Sequence, residues 1–144
     1  MEDIYGPDSL RPMSQCQFFR YQFTHVSDIR DVFSQYHSVD HFTNGSRPLY
    51  IGWQNCDPNT GSFLRKFYTR PYFLPPHSES LQSDWVFMGS PGFGANLHID
   101  AVGHPSWQAQ ISGHKQWTLE SPSECILECP STLTVTVHPG EISE

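Results

Sequence analysis

The spacing of apolar and polar positions divides the chain into two differently patterned stretches. In the first, Gln17 to Phe23 reads Q-F-F-R-Y-Q-F, an aromatic-rich run compatible with a strand or with part of a helix. Asp28 to Tyr36 places Ile29, Val32, Phe33 and Tyr36 at helical spacing, with Ser27 or Asp28 in position to cap a short amphipathic helix. Pro48 to Trp53 reads as a strand that enters a turn at Asp57-Pro58 and Asn59-Thr60-Gly61. Ser62 to Tyr68 reads as a second short helix. Arg70 to Pro76 is expected to be extended, because each residue before a proline is pushed out of the helical region. His77 to Ser83 reads as a linker.

From Trp85 onward the pattern is one of short strands. Trp85 to Met88 is the first. Gly92-Phe93-Gly94 is a flexible connection. Ala95 to Ala101, Ser106 to Ser112 and Lys115 to Leu119 follow as expected strands. Thr132 to His138 alternates cleanly with period two and is rich in β-branched residues, and Pro139-Gly140 then turns the chain. Short strands at roughly ten-residue spacing with turn signals between them predict a sandwich or barrel. The expected division is a mixed α/β lead-in with flanking elements over 1–83 and a β core over 84–144.

Composition adjusts this picture in three ways. The 144 residues suit one domain, and hydrophobic residues make up only 37% of them, but aromatics reach 14%, so large rings are expected to supply core area where aliphatics are few. The formal charge of −7 leaves no basic footprint. This argues against direct nucleic-acid or anionic-membrane binding and is compatible with a basic protein partner. No apolar run reaches membrane-spanning length and the first residues lack a signal-peptide pattern, so the expected location is cytoplasmic or nuclear. Asn44-Gly45-Ser46 is a formal glycosylation triplet, a pattern common by chance. Cys16, Cys56, Cys125 and Cys129 form no C-x-x-C pair and no zinc-finger spacing. They are read first as buried or half-buried thiols, with a disulfide or metal role as the alternative.

The chemistry concentrates between Trp85 and Leu119. In a strand, residues i and i+2 share a face, so His98 and Asp100 would project together. An imidazole and a carboxylate on one face are two corners of a 2-His-1-carboxylate triad, the donor set of non-haem Fe(II). Taken alone, H-x-D is far more often structural. Its setting sharpens it: a Gly-rich turn lies upstream, and Lys115 opens a later strand where an ammonium can hold a carboxylate.

Gly89-Ser90-Pro91, Gly94, His98-Ile99-Asp100, Gly103, Ser106-Trp107, Gly113-His114-Lys115, Trp117 and Leu119 together resemble the Jumonji-C (JmjC) family of Fe(II)- and 2-oxoglutarate-dependent oxygenases, in particular its arginine demethylase/lysyl hydroxylase-type branch. The likeness extends faintly upstream through Tyr50 to Trp53 and Tyr72 to Pro75, and downstream to Pro139-Gly140-Glu141. The resemblance implies a double-stranded β-helix of cupin or jelly-roll type. It implies Fe(II) held by His98 and Asp100, and 2-oxoglutarate chelating the metal with Lys115 on its far carboxylate. Gln108 stands where relatives often carry a cosubstrate-binding Asn, and its amide is the expected substitute. Ala95 stands where many carry a cosubstrate-binding Thr, a departure that removes a hydroxyl donor. Trp85, Trp107 and Trp117 are read as packing.

The family's third ligand, a histidine on a late strand, is expected beyond Pro139-Gly140-Glu141. His104, His114 and His138 are poor substitutes by position. The chain is therefore expected to represent a C-terminally truncated oxygenase domain, a protein side-chain hydroxylase or demethylase by design, with impaired activity as it stands. Two other readings compete. One is a non-catalytic interaction module, and the other is a cupin-like metalloprotein that does not use 2-oxoglutarate.

Overall fold

The computed structural model describes residues 17–21, 28–35, 48–78, 84–100, 103 and 105–143. The first 16 residues of the expected lead-in, Tyr36, His104 and the Asn44 triplet lie outside these residues. The described residues are mainly β, with antiparallel sheets, and they fall into two compact units, 1–66 with 77–95 and 67–76 with 96–144.

The first unit is built on a three-stranded antiparallel sheet, with β2 (Tyr50–Asn55) between β1 (Phe18–Tyr21) and β3 (Asp84–Gly89). Alternation along β2 sorts its side chains. Ile51 and Trp53 point to one face, where Phe18 and Val86 stand opposite Trp53 and Met88 stands opposite Ile51. Helix α1 (Ile29–Gln35) packs there, and Ile29, Val32, Leu49, Ile51 and Trp53 form the buried core. The cap is Asp28, whose carboxylate accepts from the backbone N–H groups of Arg30 at 2.8 Å and Asp31 at 3.0 Å.

The opposite face of the sheet is aromatic. Phe19 lies against Tyr50, Trp85 and Phe87, with ring centroids 6.4, 6.1 and 5.6 Å apart. Gly52 sits beneath these rings because nothing larger fits. A Cβ there would meet the Phe87 ring at 2.8 Å and the Phe19 ring closer still. At the end of β3, Ser90 is buried and latched to the strand before it. Its N–H donates to the Leu49 carbonyl at 2.7 Å, and its Oγ accepts from the Leu49 N–H at 3.0 Å.

The Asp57-Pro58 dipeptide, expected as a turn, instead opens a helix, α2 (Pro58–Leu64), which runs on into a 3₁₀ turn at Arg65–Phe67. Asp57 caps it by accepting the Thr60 N–H at 2.7 Å, and Pro58 occupies the first helical position, where a missing N–H costs nothing. The helix thus begins four residues earlier than Ser62. Hydrogen bonding from Thr60 holds the Asp57 carboxyl below the ordinary carboxylate value. A carboxylate depressed in the folded state stabilises above its unfolded pKa, about 3.9, and loses that contribution as pH falls through the lower folded value. Asp57→Ala is therefore expected to cost about 1 kcal/mol near neutral pH. Urea unfolding of both proteins should show the gap narrowing as the pH is taken below the unfolded value.

The second unit contains two two-stranded antiparallel pairs, β4 (Gln108–Ala109) with β7 (Ile142–Ser143) and β5 (Lys115–Glu120) with β6 (Thr132–Val137). The β5–β6 register places Lys115 opposite Val137, Trp117 opposite Val135 and Leu119 opposite Leu133 on one face. Gln116, Thr118 and Glu120 face Thr136, Thr134 and Thr132 on the other. The expected turn forms at Pro139-Gly140. The Glu141 N–H donates to the His138 carbonyl at 3.0 Å, and Gly140 adopts φ 89°, which a side chain would resist.

Three expectations need correction here. Ala95 to Ala101 is not a strand as far as it is described: 95–100 make no ladder, and Leu97 and Ile99 stay 60% and 95% exposed, so no core face fixes a register. Of Ser106 to Ser112 only Gln108 and Ala109 pair. Pro71 to Leu74 is not extended but closes a turn, the Leu74 N–H donating to the Pro71 carbonyl at 3.2 Å. The cysteines also differ from the first reading. Cys125 and Cys129 are joined in a disulfide, their Cα atoms 5.4 Å apart, and Cys56 is disulfide-bonded as well. Cys125 closes one helical turn, its carbonyl accepting the N–H groups of Glu128 and Cys129, and this brings the i and i+4 side chains together.

Candidate functional site

His98 and Asp100 meet without the strand that was expected to align them. They do so from an irregular segment that bends at Leu97 between Asn96 and His98. His98 Nε2 lies 3.1 Å from Asp100 Oδ1, with side-chain exposures of 55% and 67%. The other ring nitrogen is fixed, since Nδ1 lies 2.6 Å from the Asn96 carbonyl oxygen, which can only accept. Nδ1 therefore carries the proton that forms this bond. Nε2 is then either protonated in an ion pair with Asp100 or a bare lone pair facing a carboxylate, the arrangement a divalent cation bridges.

The 3.1 Å separation is compatible with both cases, since a direct N–H···O contact has the same length. Two ligands at right angles, each about 2.1 Å from a metal, sit about 3.0 Å apart. A carbonyl holding the far nitrogen is also the usual outer support of a metal-ligating histidine. The residues present thus fit a metal as a pair. Among the described residues, no three His, Cys, Asp or Glu side chains gather as a metal site. His114 and His138, considered as a third ligand, pack against each other instead, ring centroids 4.8 Å apart and edge to face.

Lys115 opens β5 half-buried, opposite the buried Val137. Burial pushes its ammonium below the ordinary lysine value, and the charge of Asp100 partly opposes that shift. The carboxylate proposed for the metal is thus near enough to act on the cation proposed for the cosubstrate. Lys115 Nζ also lies 4.4 Å from the centroid of the Trp117 ring, inside cation–π range. This second role of Trp117 was missed when it was read as packing, although a lysine and an aromatic at i and i+2 of a strand was the available signal.

Gln108 opens β4 with its Oε1 buried and, among the described residues, without a hydrogen-bond partner, and the Trp117 Nε1 donor is in the same condition. An amide is readily turned over, which would present NH₂ where the oxygen now stands. Ala95 offers no hydroxyl. A cavity of about 190 Å³ elsewhere in the second unit is lined by Phe67, Tyr68, Ala109, Gln110 and Ile142 among others. Among the described residues on its wall, Tyr68 alone carries an acidic group. No helix among the described residues is long and apolar enough to cross a membrane.

Comparison with known proteins agrees in direction. The chain is 38% identical over 48 residues to the bifunctional arginine demethylase and lysyl-hydroxylase psr-1 of Caenorhabditis elegans, covering 33% of this chain and 10% of that protein. It is 25% identical over 107 residues to psr-1 of Caenorhabditis briggsae, covering 69% of this chain and 27% of the relative. The chain therefore spans well under a third of the length of either relative. No protein-family model matches it. No solved structure matches it significantly.

Proposed function

We propose that this chain carries part of the active site of a JmjC-type oxygenase that uses Fe(II) and 2-oxoglutarate to oxidise a side chain of a protein substrate. In this reading residues 84–144 belong to a double-stranded β-helix core and 1–83 flank it. The observation that carries it is the convergence of His98 Nε2 and Asp100 Oδ1 at 3.1 Å, with Nδ1 tied back to Asn96. The antiparallel, mainly β architecture and the likeness to psr-1 support it.

Each residue has a distinct task. Asn96 holds the tautomer of His98, so that Nε2 keeps its lone pair for the metal. Asp100 supplies a negative oxygen ligand. Lys115 meets the far carboxylate of 2-oxoglutarate with a charge-assisted hydrogen bond. Gln108, with its amide turned over, donates to the same molecule. When bound, Fe(II) with 2-oxoglutarate would supply the oxidising chemistry, taking O₂ to a C–H bond of the substrate. Hydroxylation, or N-demethylation through a hydroxymethyl group, are both within that reaction class. A net charge of −7 suits a basic protein substrate.

Among the described residues two ligands gather rather than three, and two hold a metal less firmly, so weak metal binding and succinate release near background are expected. Binding is therefore the better test. Calorimetric titration with 2-oxoglutarate in the presence of Mn²⁺ should show saturable binding, weakened at least tenfold in Lys115→Ala. Equal affinity in the two proteins would remove Lys115 from the site. No binding in the unaltered chain would remove 2-oxoglutarate from the account.

A further inference from the structure

The β5–β6 ribbon has one apolar face, and burial fades along it. On that face exposure rises from 5% at Val137 to 43% at Val135 and 53% at Leu133. Leu119, across from Leu133, is half exposed as well. Thr132, Thr134 and Thr136 keep the other face of β6 polar. Beyond the last pair the chain turns back through 121–131, and there Ile126 and Leu127 stay 62% and 95% exposed. Single exposed apolar residues are ordinary on protein surfaces, but a group of large ones at one end of one ribbon marks a surface that something covers.

This end of the ribbon is a built turn. The Ser121 N–H donates to the Ser131 carbonyl at 3.3 Å, and the Cys125 N–H to the Pro122 carbonyl at 3.1 Å. The Cys125–Cys129 disulfide then closes the turn that carries Ile126 and Leu127. Apolar side chains on a turn already closed lose less freedom when a partner covers them, so more of the contact appears as affinity. The charge around them has one sign. No lysine or arginine follows Lys115, whereas Glu120, Glu124, Glu128, Glu141 and Glu144 do. Glu120, Glu124 and Glu128 are exposed beside the apolar end. That sign decides the occupant. A second copy of this chain, itself at −7, or an anionic membrane would bring like charge to the rim.

We propose that the end of the β5–β6 ribbon is a docking surface for a basic segment of a partner protein, one that intersperses lysine or arginine with apolar side chains. The apolar residues of that segment cover Leu133, Val135, Ile126 and Leu127, and its cations meet Glu124 and Glu128 at the rim. The inference stands whether or not the metal chemistry does. The test titrates the full chain into fluorescein-labelled peptides of about a dozen residues, long enough to run along the ribbon, and follows anisotropy. One peptide repeats Leu-Lys-Ser, a second has serine for leucine, and a third has glutamate for lysine. The first should bind saturably, about tenfold or more tighter than either control. Its affinity should fall as NaCl is raised from about 50 to about 300 mM. Ile126→Ser combined with Leu127→Ser should weaken binding about tenfold and leave the unfolding midpoint in place, because both side chains are exposed. Leu133→Thr should weaken it too, and still reports if the first variant disturbs the turn. Glu124→Gln combined with Glu128→Gln should weaken it and flatten the salt dependence. Thr134→Ser, on the polar face, should leave it unchanged.

Equal affinity for the leucine-free peptide would mean charge attraction without a docking surface, and would overturn the proposal. So would no binding of the first peptide, or unchanged affinity in both the Ile126–Leu127 and the Leu133 variants. Sedimentation equilibrium of the chain alone completes the test. A monomer is expected. A dimer that dissociates when Ile126 and Leu127 are replaced would assign the face to a second copy and overturn the proposal as well.

Discussion

Trp53→Ala is expected to cost about 3–5 kcal/mol and to leave the first unit largely unfolded at ambient temperature. Trp53 has no exposed surface. It stands at the middle of the three-stranded sheet, with Phe18 and Val86 as cross-strand neighbours and the Phe33 ring meeting it edge-on at 6.5 Å. Its removal opens a cavity where sheet and helix join. The neighbours cannot close it cheaply, because Leu49 and Ile51 are backbone-fixed members of the same strand segment and Val32 is held by a short helix. Among the described residues the buried core of this unit numbers five, so one large ring is a large share of it. Urea denaturation followed by far-ultraviolet dichroism measures the loss. A cost below about 1 kcal/mol would mean that the unit does not depend on this core.

Asp100→Ala should reduce metal affinity by roughly a hundredfold or more, about 2.7 kcal/mol by the usual tenfold equivalence. The carboxylate is the charged member of the pair, and its loss leaves one neutral imidazole. His98→Ala should be comparable, because Asp100 is then a solitary exposed carboxylate. Neither change should move the unfolding midpoint appreciably without metal, since both side chains are more than half exposed and the contact between them is a surface one. Mn²⁺ titration read by paramagnetic resonance, run beside the unfolding curve, separates the two quantities. A loss of stability matching the loss of affinity would mark the pair as structural.

The parts legible in the sequence were those governed by local periodicity. Ile29, Val32 and Phe33 at helical spacing gave α1, the direct mark of one buried face, and the alternation of β-branched residues from Thr132 gave β6, although Val137 is the one residue of that strand that is buried. The closeness of His98 and Asp100, 3.1 Å apart, was legible from their two-residue spacing, although not through the strand that was expected. What was not legible depended on distant partners or on ambiguous letters. Ala95 to Ala101 alternates as a strand would, yet alternation cannot say whether a neighbouring strand is there to pair with it. Asp57-Pro58 reads equally as a turn and as a helix cap followed by proline, and only the Thr60 N–H decides between them. The Cys125–Cys129 bond needs one turn of helix to bring the thiols together, which spacing alone does not supply. Trp117 could be seen as an aromatic on a strand, but its face toward the ammonium is a property of rotamers.

The central claim is that His98, Asp100 and Lys115 together receive a divalent metal and 2-oxoglutarate. The most direct test is an anaerobic difference spectrum of the chain with Fe(II), before and after 2-oxoglutarate is added. A visible charge-transfer band of a chelated 2-oxo acid should grow saturably with the chain and be absent in His98→Ala and Asp100→Ala. It should require much more 2-oxoglutarate in Lys115→Ala. No band above that of Fe(II) and 2-oxoglutarate free in buffer, or an undiminished band in the Asp100 variant, would contradict the account.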